Sequence, residues 1–155
     1  MSVHTFFQSR ARAVVAVSAT CFLLATPVFA EEYVSVVKDN VNVRSAPNTT
    51  SPVAMELFQG YPLKVIKKDG EWAQISDFEG DTGWIHTSLI GKNDTVIINA
   101  TKSVNMRSEP NTTSPVVADV ERGVIMTKVG EEGQWVQLKH SSGTVGWIYK
   151  PLLWP

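Results

Sequence analysis

A spacing of 63 residues governs this 155-residue chain. Asn42-Val43-Arg44-Ser45-Ala46-Pro47-Asn48-Thr49-Thr50-Ser51-Pro52-Val53 returns as Asn105-Met106-Arg107-Ser108-Glu109-Pro110-Asn111-Thr112-Thr113-Ser114-Pro115-Val116. Gly83-Trp84-Ile85 returns as Gly146-Trp147-Ile148, and Trp72 returns as Trp135. Gly60, Gly70, Gln74 and Gly80 have twins at Gly123, Gly133, Gln137 and Gly143, and the copies align without a gap. A repeat this long is a whole folding unit rather than one turn of a solenoid. The chain reads as two copies of one small domain, and its function must be one that a duplicated small domain serves.

Residues 1–30 stand outside the repeat. Arg10 and Arg12 precede an apolar run from Ala13 to Ala25, broken only by Ser18 and Thr20. Thr26-Pro27 then interrupts any helix, and Val28-Phe29-Ala30 supplies a cleavage motif. Charged start, apolar middle and small-residue end are the parts of a secretory signal peptide. The run is short for a membrane span, which needs about 20 apolar residues, although a retained anchor stays open as the alternative. Cleavage after Ala30 is expected, leaving no membrane span. Cys21 makes a poor lipoprotein site, because Ser18 and Thr20 flank it and the apolar run continues past it.

That segment holds the chain's only cysteine and two of its 14 basic side chains, so 12 remain against 15 acidic ones. A chain from residue 31 onward has no disulfide framework and no thiol chemistry. A mildly acidic chain without a basic block is a poor nucleic-acid binder, since phosphate neutralisation needs clustered Lys and Arg.

Local patterning is β throughout. Val41/Val43 and Val104/Met106 alternate with polar neighbours, the period of a half-buried strand. Asp69-Gly70 lies between two apolar runs, a hairpin signal, and Glu132-Gly133 takes its place in the second copy. Pro47 and Pro52 bracket a polar loop of residue types that bond their own backbone. Turn signals recur at intervals of about 8–12 residues, as in a small barrel or sandwich. The expected division is residues 1–30 as signal, 31–90 as repeat one, 91–95 as linker and 96–155 as repeat two.

The order Asn-Val-Arg-Ser-x-Pro-Asn, Pro-Val, Gly-x-Trp, then Gly-x-x-Gly-Trp-Ile and a late leucine resembles the bacterial Src homology 3 domain, over about residues 33–153. The resemblance implies an all-β chain of two small, partly open Src homology 3-like barrels in tandem, each of five or six strands in two orthogonal sheets. It implies binding roles, among them cell-wall or peptide attachment and protein docking. Polyproline binding is not implied, because His86 and Leu89 stand where the eukaryotic relatives carry Pro and Tyr.

Alternation along Trp72-Ala73-Gln74-Ile75 puts Ala73 and Ile75 on the core face and Trp72 and Gln74 on the outer one. Trp135 and Gln137 follow suit. An outward Trp is a natural binding anchor, but it also serves to cover a barrel edge, and the pattern leaves both readings open. Trp84 and Trp147 read as closing the barrel. Arg44 and Arg107 fit either an anion fork or a salt bridge that fixes the adjacent loop. The Asn-Thr-Thr triplets read as loop caps, and His86 and His140 as surface residues without metal-ligand spacing.

No Gly-x-Ser-x-Gly elbow, His-Glu-x-x-His motif or phosphate loop is present. Of five loop acids in copy one, only Asp69 keeps an acidic twin, Glu132. The expected function is thus an exported, periplasmic or extracellular tandem binding module without catalytic residues, metal or cofactor. Its expected partner is a cell-wall polymer, and another exported protein is the alternative. The candidate contacts are Trp72, Trp135, Gln74, Gln137, Arg44 and Arg107. Oligomeric state is not legible.

Overall fold

The computed structural model describes residues 30–92 and 94–155, so the signal-peptide reading and Cys21 lie outside the described residues. All described strands pair antiparallel, and no α-helix occurs among the described residues. Repeat one contains β1 (Glu32–Val36), β2 (Val41–Arg44), β3 (Val53–Leu57), β4 (Pro62–Asp69), β5 (Trp72–Ser76), β6 (Thr82–His86) and β7 (Ile90–Lys92). Repeat two contains β8 (Thr95–Ile98), β9 (Val104–Arg107), β10 (Val116–Val120), β11 (Ile125–Glu132), β12 (Trp135–Lys139), β13 (Val145–Tyr149) and β14 (Leu153–Trp154). A 3-10 turn precedes the last strand of each, at Thr87–Leu89 and Lys150–Leu152.

The sheets share one topology, β3-β2-β6-β5-β4-β1-β7 and β10-β9-β13-β12-β11-β8-β14. Each is a single seven-stranded sheet that does not close into a barrel, where the resemblance implied five or six strands in two sheets. The seam lies at β2–β6, which share one registered pair, Arg44 opposite Trp84; β9–β13 share Arg107 opposite Trp147.

Each repeat has its own apolar interior, and seven of its buried positions are twins: Val41/Val104, Val43/Met106, Leu57/Val120, Leu63/Met126, Ala73/Val136, Ile75/Leu138 and Ile85/Ile148. The first strand breaks the rule. Val34 lies opposite Leu63, but Val96, not Ile97, lies opposite Met126. Likewise the Val36 amide donates to the Tyr61 carbonyl, whereas Ile98 donates to Val124. The gap-free alignment is therefore corrected. β1 and β8 correspond at 62 residues, and the loop before β9 (99–103) is one residue longer than the loop before β2 (37–40). A one-residue slip would turn every side chain of the strand to the other face. The longer loop absorbs the difference and keeps Val96 and Ile98 inside.

Bulges explain other breaks in alternation. The register of β4 on β5 shifts between Val65 and Lys67, and that of β11 on β12 between Lys128 and Gly130. The extra residues, Ile66 and Val129, are left exposed. Hairpin reversal falls at Gly70-Glu71, between the paired Asp69 and Trp72. Gly70 has φ +55°, which an L side chain adopts only at a cost.

The stretch expected as linker is mostly strand: Gly91 and Lys92 belong to β7, and Thr95 opens β8. Thr95 is buried and ties the repeats together. Its hydroxyl donates to the Gly60 carbonyl at 2.7 Å, so its oxygen accepts from the Ser35 hydroxyl at 2.8 Å. Tyr33 meets Trp154 edge to face, with ring centroids 5.6 Å apart. Arg122 bonds Glu79 at 2.8 Å and lies over the Phe78 ring.

Tyr61 packs beside the first core, and its phenol is pushed up from 10.0 to about 12, first by burial and then by the charge of Asp77. The folded state thus holds a proton that the unfolded chain releases near pH 10. This contribution to stability is complete below pH 10 and is lost as pH rises toward 12. Tyr33 behaves alike through its bond to Glu31. Denaturant unfolding between pH 9 and 12 is expected to show falling stability with a shallower slope in Tyr61→Phe; an unchanged slope would contradict this origin.

Candidate binding face

Residues directly opposite each other in antiparallel strands share a face. In repeat one Trp72 is opposite His86, and Gln74 is opposite Trp84. Arg44 is opposite Trp84 from the other side, and Lys67 is opposite Gln74. The sheet thus gathers Trp72, Gln74 and Arg44 on one outer face with Trp84, His86 and Lys67. Behind them Ala73, Ile75 and Ile85 are fully buried. In repeat two Trp135, Gln137 and Arg107 meet Tyr149 and Trp147 in the same register.

The tryptophans are half-buried, and each leans on a cross-strand ring. Trp72 meets His86 edge to face with centroids 5.5 Å apart; Trp135 meets Tyr149 at 5.7 Å and 58°. A carboxylate oxygen of Glu71 lies 3.8 Å from His86 Nε2. Lys67 Nζ stands 5.3 Å from the Trp84 ring centre. At the twin position Gly130 carries no side chain, and a Cβ there would come within 3.1 Å of Gln137 Oε1. Trp84 and Trp147 are half-exposed members of this face rather than plugs in the core.

Both arginines are committed to their loops, through a carbonyl rather than a carboxylate. Arg44 Nη1 donates to Ser51 O at 2.7 Å, and Arg107 Nη1 donates to Ser114 O at 2.7 Å. The asparagines finish these loops. Asn48 Oδ1 accepts from the amides of Thr50 and Ser51, and Asn111 Oδ1 from those of Thr113 and Ser114. These are the local side-chain bonds that favour a fixed turn. The result is a rigid rim beside the tryptophan face, with planar aromatic area, amide groups and a guanidinium within one surface.

In repeat two the face borders a groove of about 680 Å³, lined by residues 100–105 with Arg107, Thr112, Trp135, Tyr149 and Leu152. The sequence alone did not assign Tyr149 or the 100–105 loop to the site. The Gly-x-x-Gly-Trp-Ile motif does carry a signal: the residue after it is His86 or Tyr149, paired across the strand with Trp72 or Trp135.

The family model of the bacterial SH3 domain matches this chain twice, over residues 37–92 and 100–155. A putative N-acetylmuramoyl-L-alanine amidase, YrvJ of Bacillus subtilis, is 28% identical over 120 residues, covering 71% of this chain and 23% of that protein. A probable cell wall amidase, LytH of Staphylococcus epidermidis, is 32% identical over 56 residues, covering 36% of this chain and 19% of its own length. The chain spans less than a quarter of the curated relatives it matches. Among solved structures, NlpC1 from Trichomonas vaginalis aligns over 86% of this chain and 50% of its own, at 15% identity and a TM-score of 0.33. An NlpC/P60 family protein from Bacillus cereus aligns over 79% and 55%, at 12% identity and a TM-score of 0.38. Likenesses at these scores carry no weight for function.

Proposed function

This chain belongs to the bacterial SH3 domain family, with two copies in tandem, and we propose that it is an exported, non-enzymatic binding module for cell-wall material, a peptidoglycan peptide or glycan. The observation that carries the reading is the repeated outer face. Each copy sets a half-exposed Trp, a Gln and an Arg in the same cross-strand register. Large rigid aromatics with amide and guanidinium groups around them are what binding surfaces concentrate.

Several further points support it. Two relatives are named as amidases, one of them a probable cell wall amidase, and the match to the other spans 71% of this chain. The sequence from residue 31 onward has no cysteine and no common hydrolase motif. No helix among the described residues is long and apolar enough to cross a membrane. The pattern of residues 1–30 supports export, with cleavage after Ala30 expected to be visible in the intact mass of the secreted chain. Two weak sites held close together gain avidity on a polymer that engages both at once.

Co-sedimentation with purified sacculi at low and at physiological salt tests the proposal. The protein is expected in the pellet at both. Loss of binding at physiological salt would mark non-specific charge attraction, because exposed charges are screened over about 8 Å there. A chain that stays soluble with sacculi yet is captured by an exported protein would replace the wall with a protein partner.

A further inference from the structure

The extra residue before β9 falls in the stretch that lines the groove of repeat two. In repeat one the corresponding loop is the short 37–40, which turns through Asn40 at φ +55°. Counted back from Val41 and Val104, Asp39 occupies the place of Lys102. Asp39 does not serve a like purpose there. It lines the cleft between the repeats, and its Oδ1 accepts the Gln59 amide at 2.9 Å.

The charge follows the same division. The groove of repeat two is lined by two cations, Lys102 and Arg107, and by no carboxylate. Trp135, Tyr149 and Leu152 give it apolar surface, and Asn105 an amide. In repeat one Tyr149 is replaced by His86 and Gln134 by Glu71, whose carboxylate sits 3.8 Å from the imidazole. An anionic group entering beside Trp72 therefore meets the exposed Glu71 carboxylate, with Arg44 and Lys67 farther along the same face; beside Trp135 it meets no carboxylate in the groove lining.

We propose that the two repeats contact different parts of the wall material, and that repeat two alone takes a short peptide by its free carboxylate. The proposal deepens the wall-binding reading and rests on it. A volume of about 680 Å³ lies within the range of small-ligand sites, roughly 300–1,000 Å³. Apolar surface beside two cations matches a peptide end, with apolar side chains next to a terminal carboxylate. Lys102 is exposed, whereas Arg107 lines the groove while its Nη1 is already held on Ser114 O.

The test is titration of the full chain with an N-acetylated leucyl-alanyl-alanine bearing a free carboxylate, and with its C-terminal amide, followed by amide and indole NMR. The free acid is expected to shift the Trp135 indole and the amides of residues 99–107 while Trp72 stays in place. The amide form is expected to bind about tenfold more weakly. Lys102→Gln, a surface change that leaves the fold intact, is expected to weaken the acid about threefold, the effect of one exposed charge pair. Equal binding of acid and amide, or equal shifts of Trp72 and Trp135, would overturn the proposal. Sacculus binding by the same sample separates the two levels. If sacculi are bound but the free acid is not, the carboxylate proposal fails and the wall reading stands. If neither is bound, both fail.

Discussion

Gly146→Ala is expected to unfold the second repeat at temperatures where the first stays folded. A Cβ at Gly146 would lie 2.7 Å from Met106 Cγ, 2.8 Å from the Arg107 carbonyl oxygen and 2.9 Å from Val117 Cγ2. One of those atoms is backbone, and Met106 is fully buried, so little can yield. The strain falls where β13 and β9 share their one registered pair, and it pushes on the residue that holds the 108–114 loop. Overpacking of this kind costs about 1–3 kcal/mol and sometimes more. A domain of about 60 residues has roughly 3–9 kcal/mol in hand, and each kcal/mol shifts its melting point by about 4–8 °C. A fall of about 4–24 °C in the transition of repeat two is therefore expected. Gly83→Ala should do the same to repeat one, where the Cβ would lie 2.4 Å from Val43 Cγ1. Gly133→Ala is the contrast. Nothing lies within 4 Å of its Cβ, and only φ +57° opposes the change, at about 1–2 kcal/mol. Melting of Gly146→Ala within a few degrees of wild type would mean that β13 does not approach β9 as described.

The same residues show why parts of the molecule were legible in the sequence and others were not. The repeat was plain because its identities cluster in loops and turns with fixed backbone demands, such as Asn48/Asn111 and Gly70/Gly133. The outward placement of Trp72 and Trp135 followed from alternation, since Ala73, Ile75, Val136 and Leu138 mark the core face on both sides. The register of the first strand was not legible. Val34-Ser35-Val36-Val37 and Val96-Ile97-Ile98 are apolar or small nearly throughout, so a spacing of 62 or 63 fits equally well until hydrogen bonds decide. Bulges at Ile66 and Val129 were hidden because both residues are apolar although they lie exposed. The ring partners of the tryptophans required the cross-strand register, which no single-strand pattern contains. Thr95 read as a linker residue because a buried hydroxyl bridge between domains leaves no periodic trace.

The largest functional effect is expected from Trp72→Ala combined with Trp135→Ala. Neither ring belongs to the core clusters, and each rests on one cross-strand neighbour at the surface. Truncating a fully buried aromatic costs about 3–5 kcal/mol, and a half-exposed one should cost well under that. A Trp that anchors a binding site is worth about 2 kcal/mol or more, roughly a 30-fold loss of affinity. Thermal unfolding and sacculus co-sedimentation of one preparation of the double variant bear most directly on whether this outer face is the binding site. The expected result is a melting point within several degrees of wild type and a protein left in the supernatant. A variant that stays folded and still pellets fully with sacculi would contradict the account.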